Sequence, residues 1–117
     1  MAAPNIVNVA TITGKTAVQA VGTSATAIVT NSSSSGKVFK VNALYVANID
    51  GTTAADITVD LFRSSTAYAI ASTITVPADA SLDVISKALY LEEGDALRCT
   101  ASAAGDLTAV CSYEEIS

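Results

Sequence analysis

Alternation of apolar and polar residues with a period of two is clearest across residues 37–63. This period is typical of β-strands, whose successive side chains point to opposite faces, and a helix cannot keep such a set on one side. The pattern predicts strands over Lys37–Ile49 and Ala55–Arg63 with a turn at Asp50-Gly51, but leaves open whether they form a hairpin or lie in different sheets. The residues predicted to share a face are Phe39, Val41, Ala43, Tyr45, Ala47 and Ile49 on the first strand, and Ile57, Val59 and Leu61 on the second.

Less regular alternation in the N-terminal region predicts three further strands, near residues 5–12, 17–21 and 25–30. The polar run Asn31–Gly36 is predicted to be an exposed loop, because serine and glycine offer no apolar surface to bury. The first of these strands has two interpretations: an ordinary edge strand, or an arm over residues 1–12 that pairs with a neighbouring subunit. The residues of such an intersubunit arm are Ile6, Val7, Val9 and Ile12.

The C-terminal half continues in short strands. Pro77 is expected to end one of them, because it cannot donate a backbone hydrogen bond to a sheet. Short strands are predicted over Ser81–Ile85 and Lys87–Leu91, followed by an acidic turn at residues 92–95. The strand before Pro77 is predicted to place Tyr68, Ile70, Ile74 and Val76 on one face.

The last two strands are predicted to form a hairpin. Their apolar residues share one parity, so the connecting loop needs an odd number of residues. A three-residue loop Ala103-Ala104-Gly105, with the glycine in the left-handed conformation, satisfies this requirement. The predicted inward residues are Leu97, Cys99 and Ala101 on the first strand, and Leu107, Ala109, Cys111 and Tyr113 on the second.

Eight to nine short strands, with no segment that has a helical apolar stripe, predict an all-β fold. The expected architecture is an antiparallel β-sandwich of jelly-roll or other Greek-key type, formed by residues 1–117 as a single domain. The absence of intervening helices disfavours parallel pairing.

Charge and hydropathy narrow the class of function. The net charge is −5, charged residues make up 15% of the chain, and its six lysines and arginines are scattered singly. Nucleic-acid binding relies on clustered basic residues, so no nucleic-acid partner is expected. Apolar runs are too short to span a membrane, and no signal peptide is recognisable, so a soluble protein is expected. A mean hydropathy of +0.47 with so few charges favours a chain that covers part of its surface with a partner.

The two cysteines, Cys99 and Cys111, lie on the same predicted face of the hairpin. A disulfide requires them to be directly opposite each other. Two reduced, buried thiols are the favoured interpretation, because no secretory signal places the chain in an oxidising compartment. Two cysteines without histidine do not make a zinc site.

The sequence offers few tools for catalysis, so no enzyme activity and no cofactor are predicted. Histidine is absent, which excludes Ser-His and Cys-His nucleophiles. Glu114 and Glu115 are neighbours on a strand and point to opposite faces. The residues Gly14-Lys15-Thr16 lack the earlier glycine of a phosphate-binding loop and are predicted to form a turn with a solvated lysine. The acidic turn could hold calcium through Glu92, Glu93 and Asp95, but a solvated turn is favoured because the spacing matches no calcium loop.

Carbohydrate binding is the alternative small-ligand function for a β-sandwich. It relies on exposed aromatic side chains, and tryptophan is absent. By parity only Tyr90 is predicted to point away from its apolar neighbours, whereas Tyr45, Tyr68 and Tyr113 are predicted to face the core. A single exposed tyrosine is more typical of a subunit contact.

Three phrases cover most of the chain: GKTAVQAVGTSATAIVTN, KVFKVNALYVANIDGTTAADITVDLFRS and LYLEEGDALRCTASAAGDLTAVCSYEEIS. They resemble small virion structural proteins of tailed bacteriophages, especially those that infect cyanobacteria and marine bacteria. The resemblance implies a jelly-roll-like domain that self-associates on the particle, assembled in the host cytoplasm. A head decoration (cement) protein bound to the major capsid protein is the favoured expectation, and a neck, tail or fibre component is the alternative. The likeness carries no catalytic signature.

Overall fold

The computed structural model describes residues 7–117 of the chain. Within this range it contains nine strands and no helix. Consequently, no described segment is a helix long and apolar enough to cross a membrane. The strands are β1 (Ile12–Ala20), β2 (Thr26–Thr30), β3 (Val38–Asn48), β4 (Ala55–Arg63), β5 (Thr66–Val76), β6 (Ser81–Asp83), β7 (Leu89–Leu91), β8 (Ala96–Ala101) and β9 (Leu107–Ile116).

The strands form two antiparallel sheets. The five-stranded sheet has the order β1-β9-β3-β6, with β7 also paired to β3, and the four-stranded sheet has the order β2-β8-β4-β5. The short strands β6 and β7 occupy the same side of β3 at its two ends, so together they act as one interrupted strand. This is the strand order of a jelly roll. The predicted all-β antiparallel sandwich is confirmed.

The core lies between the sheets and consists of the inward residues of both. Ile57, Val59 and Leu97 from the four-stranded sheet are completely buried, as are Val41 and Cys111 from the five-stranded sheet. Burying a valine or leucine side chain stabilises the fold by about 1.5–3 kcal/mol relative to leaving it in water. The inward positions predicted for β8 and β9 are confirmed, with Tyr113 partly buried against Phe39 at a ring-centroid distance of 5.5 Å.

The inward face predicted for β3 is correct only for its first half. The pairing of β3 with β9 shifts register between Val41 and Ala43, which is a β-bulge. A bulge adds one residue to one strand and so reverses the side-chain parity beyond it. After the bulge Leu44 and Val46 are buried, while Tyr45 points outward and is 51% exposed.

The predicted face of β5 is also interrupted. Its pairing with β4 shifts register twice, so Ile70 lies at one irregularity and residues 72–73 at the other. Val76 is buried and Pro77 follows the strand end as predicted, but Tyr68 is 55% exposed at the edge of the sheet. Ala71, whose parity is opposite to that of the predicted face, pairs with Val59 and packs against the core.

The predicted hairpin of the last two strands is wrong. β8 belongs to the four-stranded sheet and β9 to the five-stranded sheet, so the chain crosses between layers. Gly105 in this connection has the expected left-handed conformation, with φ of 83°. β3 and β4, for which the sequence left a hairpin as one possibility, also lie in different sheets and do not form a hairpin.

The N-terminal region differs from its prediction. One strand, β1, runs from Ile12 to Ala20 in place of separate strands near 5–12 and 17–21. Gly14-Lys15-Thr16 therefore lies within a strand and is not a turn. Ile6 of the predicted intersubunit arm lies outside the described residues. The other three arm residues precede or begin β1, and the arm itself stays a prediction: Val7 is exposed, Val9 is half-buried and Ile12 pairs with Ile116.

Candidate interaction surfaces

The outer face of the five-stranded sheet carries an apolar row that crosses three adjacent strands. Val18 on β1 pairs with Val110 on β9, which in turn pairs with Tyr45 on β3. Val18 is 75% exposed and Val110 is 37% exposed. We call Val18, Val110 and Tyr45 the apolar row. Side chains this apolar and this exposed, at directly paired positions of adjacent strands, mark a surface that a partner can cover.

The residues that surround the apolar row on the same face are small and uncharged. They occupy the outward positions two residues away on each strand, where a charged side chain would oppose docking of an apolar surface. These neighbours are Thr16 and Ala20 on β1, Thr108 and Ser112 on β9, and Ala43 and Ala47 on β3. The nearest charge along the row is Asp83 on β6, which pairs with Tyr45. The part of the outer face of β1, β9 and β3 around the apolar row is therefore an uncharged patch, and Lys40 and Glu114, which are paired across β3 and β9, lie beyond its border on the same face.

The outer face of the four-stranded sheet is organised differently. Asp60 on β4 and Arg98 on β8 are directly paired, and Arg98 donates hydrogen bonds of 2.8 and 3.3 Å to the two carboxylate oxygens of Asp60. The Arg98 guanidinium also lies 4.0 Å from the centre of the Phe62 ring. These contacts bury Asp60 although it points away from the core. The charges of Asp60 and Arg98 are therefore satisfied within the molecule.

The predicted solvated acidic turn is wrong for Asp95, which is buried. Arg63 donates hydrogen bonds of 2.8 Å and 2.6 Å to the two carboxylate oxygens of Asp95, and the Glu92 N–H donates a further one of 2.8 Å. Burial opposes the charge of Asp95, but these hydrogen bonds outweigh it and lower the pKa of the carboxyl group. Arg63 also pairs with Glu92 at 2.7 Å. This turn is a structural ion-pair network.

Asn31 links the same turn to the loop that was predicted to be wholly exposed. Asn31 is completely buried, and its side-chain amide donates to the carbonyl oxygens of Lys37 and Leu91 at 2.9 and 3.0 Å. Its backbone N–H donates to the Asp95 carbonyl oxygen at 2.9 Å. A buried polar group is stable only when its hydrogen bonds are made, so this residue fixes the connections β2–β3 and β7–β8 to each other.

A third ion-pair group lies where β1, β9 and β3 run together. Glu115 pairs with Lys15 at 3.0 Å and with Lys37 at 3.2 Å. The hydrogen bond from Lys15 is the main cause that lowers the pKa of Glu115. Lys15 is exposed, as expected for a solvated lysine, but its ammonium group forms an ion pair with a neighbouring strand. Glu114 and Glu115 occupy successive positions of β9 and do not converge.

The two cysteines are free and completely buried on the inward faces of opposite sheets. Burial raises the pKa of the Cys99 thiol to about 12 and that of the Cys111 thiol to about 11. Since the thiolate is the reactive form, both residues act as small apolar core side chains. Their predicted burial is confirmed.

The described residues contain no group of three or more histidine, cysteine, aspartate or glutamate side chains placed to hold a metal ion. At the acidic turn, Asp95 is bound by Arg63, and Glu93 accepts a hydrogen bond of 2.9 Å from the Gly36 N–H. Tyr90 is exposed as predicted, but Tyr45 and Tyr68 are exposed as well. These three tyrosines lie on different strands, so exposure does not distinguish Tyr90 from the other two.

Sequence reasoning missed the residues that distinguish the two outer faces. Period-two alternation places Asp60 and Arg98 outward but does not say that their strands are neighbours. The alternation predicted Tyr45 to lie in the core, because no glycine or proline in β3 indicates the bulge. A signal for the apolar row existed at Val18 and Val110, which are apolar residues at positions of outward parity.

A scan against protein-family models and a search of curated proteins each found no match. Among solved structures, five chains match. One carries the description "Bacillus endospore appendages form a novel family of disulfide-linked pili". It is 17% identical, the match covers 92% of this chain and 88% of that chain, and the TM-score is 0.55. At this identity the likeness shows the fold alone: the chain is a two-sheet β-sandwich similar in architecture to that pilus protein.

Proposed function

We propose that this chain is a non-catalytic structural subunit that self-associates and decorates the head of a tailed-bacteriophage particle, in contact with the major capsid protein. The observation that carries the proposal is the uncharged patch around the apolar row, Val18, Val110 and Tyr45, on the outer face of the five-stranded sheet. A decoration protein needs such a face, because added buried area at subunit joints is what strengthens a shell. The assignment to a phage particle, and to the head of that particle, comes from the sequence resemblance.

The rest of the molecule supports a structural role. The two arginines of the described strands and turns, Arg63 and Arg98, are each engaged with buried aspartates, Asp95 and Asp60. Carboxylates held in this way stabilise the fold. The ion pairs and the fully buried core favour a rigid, protease-resistant domain.

Self-association also draws support from the pilus protein of the same fold, whose description names disulfide-linked pili. This chain has two cysteines, and both are buried in the core. Copies of this protein would therefore associate through surface contacts and not through disulfides. Many weak contacts on a symmetric particle add up through multivalency.

The proposal is tested by adding the purified protein to tailed-phage particles prepared without it and measuring the amount that sediments with them. Tyr45→Ser removes the aromatic member of the apolar row, and Tyr68→Ser removes a tyrosine of similar exposure on β5. We expect Tyr45→Ser to reduce binding by about tenfold or more, since one buried aromatic anchor contributes about 1–2 kcal/mol at an interface. Tyr68→Ser should bind like the wild-type protein, and both variants should keep the wild-type melting temperature.

Equal binding of the two variants, or no binding of the wild-type protein, would contradict the proposal. Electron microscopy of particles carrying gold-labelled protein separates the finer alternatives. Label spread over the head agrees with a decoration protein. Label confined to the neck, tail or fibres would replace the head assignment with the alternative location.

A further inference from the structure

The open edges of the two sheets differ in how they are protected against pairing with another strand. β5 is interrupted by two register shifts, and β2 is five residues long with a shift of its own. The Gln19 side chain also donates to the Ala27 carbonyl oxygen of β2 at 3.1 Å. β6 and β7 have three residues each. Bulges, short length and side-chain cover are the usual devices that prevent edge-to-edge association.

Among the described residues, β1 has none of these devices. It has nine residues and pairs with β9 without any register shift. Thr11 and Ser117 exchange both backbone hydrogen bonds at 2.9 Å, and the Val21 N–H donates to Leu107. Because hydrogen-bonded and non-hydrogen-bonded pairs alternate in antiparallel sheets, the odd-numbered residues of β1 bond to β9. The N–H and C=O groups of the even-numbered residues therefore point to the open edge. These residues are Ile12, Gly14, Thr16, Val18 and Ala20.

The chemistry of this edge fits a second copy of the same strand. β1 contains one charged residue, Lys15, and that charge is neutralised by Glu115 of the adjacent strand. The edge therefore adds no unpaired charge at the place where two copies would meet. Its outward side chains are small or β-branched, which are types that suit a strand placed beside a two-fold copy of itself. A nine-residue strand is about 30 Å long, which is enough for a regular antiparallel ladder.

We infer that β1 of one copy pairs antiparallel with β1 of a second copy, through the outward backbone groups of the even-numbered residues, and joins two five-stranded sheets into one. This inference rests on the self-association in the proposed function and specifies how it occurs. The register that pairs all nine residues sets Thr16 opposite Thr16 of the second copy and Gly14 opposite Val18. The two-fold axis is perpendicular to the sheet, so both apolar rows lie on the same outer face. A dimer of this kind presents two binding patches to one surface and gains affinity from their linkage.

The first test measures the mass of the protein by light scattering after gel filtration, over a range of concentrations. The wild-type protein is expected to dimerise. Thr16→Pro removes an N–H that points to the open edge and leaves the bonds to β9 intact, so it is expected to weaken dimerisation by about thirtyfold, as one hydrogen bond is lost from each copy. Thr16→Ala keeps the N–H and should dimerise normally. A monomeric wild-type protein, or a folded Thr16→Pro variant that dimerises as well as Thr16→Ala, would overturn the inference.

The second test does not depend on the folding of a proline variant. Thr16→Cys places two thiols opposite each other across the two-fold axis, at a Cα distance of about 5.5 Å that a disulfide can bridge. Mild oxidation should produce a covalent dimer on a non-reducing denaturing gel. Thr13→Cys is the matched control, because its two copies would lie about 20 Å apart along the paired strands. Equal cross-linking of the two variants, or none for Thr16→Cys, would contradict the pairing.

The outcomes distinguish this inference from the proposed function. If Thr16→Cys cross-links in solution while the protein does not bind phage particles, the pairing of β1 holds and the particle assignment fails. If the protein binds particles but stays monomeric and does not cross-link, the particle assignment holds and the pairing of β1 fails.

Discussion

The two outer faces of the sandwich have opposite designs. On the four-stranded sheet, Arg98 and Asp60 form a bidentate ion pair, and the Arg98 guanidinium lies over the Phe62 ring. The pair is largely buried. On the five-stranded sheet the corresponding central positions are held by Val110 and Tyr45, which face solvent. A face whose polar groups bond to each other has nothing to gain from a partner, whereas exposed apolar side chains gain free energy when they are covered. The difference indicates which side of the molecule is its binding side.

We call the outer face of the four-stranded sheet the closed side and that of the five-stranded sheet the open side. The polar contacts of the closed side continue to one end of the sandwich. Arg63, at the end of β4, bonds to the buried Asp95, and Asn31 joins this turn to the β2–β3 loop. Ion pairs with one buried member stabilise a fold chiefly through the cost of leaving that member unpaired. The open side has no such contact near its apolar row. Stability is therefore expected to depend on the closed side, and association on the open one.

The largest expected effect on stability comes from Arg98→Met, which leaves the buried carboxylate of Asp60 without its cation. We expect the free energy of unfolding, measured by urea denaturation, to fall by about 3 kcal/mol. The double variant Asp60→Leu and Arg98→Met removes the unpaired charge and should recover most of this loss. If the single variant loses no more free energy of unfolding than the double variant, the ion pair of the closed side does not stabilise the fold.

Acid pH is expected to have a smaller effect, through Asp95. Its pKa in the folded state lies below the ordinary carboxyl value of 3.8, so its stabilising contribution is fully present above that value. The contribution is lost as the pH falls from there through the lower pKa of the folded state. We expect the free energy of unfolding to decrease in this range on account of Asp95, by an amount that the partial exposure of Arg63 reduces.

The free energy of unfolding of the Asp95→Asn variant should therefore depend less steeply on pH over the range of about pH 2–5. Unfolding is followed by circular dichroism. The exposed Asp79 supplies a control, because Asp79→Asn removes a carboxylate that makes no side-chain hydrogen bond in the described structure. A pH dependence of Asp95→Asn equal to that of the wild-type protein would contradict the assignment.

The smallest expected effect on stability comes from deletion of residues 2–9, which include most of the predicted intersubunit arm. β1 and its pairing with β9 are retained, so the melting temperature should stay close to that of the wild-type protein. If the arm contributes to attachment, sedimentation with particles will decrease, and replacement of Ile6, Val7 and Val9 by serine in the full chain will reproduce the decrease. Unchanged attachment would show that the open face binds without the arm.

Local pattern was a good guide to the strands and a poor guide to their partners. The bounds predicted for β4 agree with the structure, and Ile57 and Val59 are buried as expected. β8 and β9 were predicted as a hairpin because they follow one another with matching parity, but they lie in different sheets. Conversely, β4 and β5 do form a hairpin, and Ser64 and Ser65 at its turn are in left-handed conformations. A Ser-Ser sequence does not predict such a turn, which asparagine, aspartate or glycine usually form.

The sequence by itself determined the class of the fold and the inward set of most strands, because burial of alternate side chains is a local property that each strand carries in its own residues. Tertiary structure alone decided that Asp60 meets Arg98, that Asp95 is buried beside Arg63, and that Val18, Val110 and Tyr45 line up in one row. These contacts depend on which strands become neighbours and on a bulge in the middle of β3. Both are set by packing between distant segments, so no single stretch of the chain contains the information.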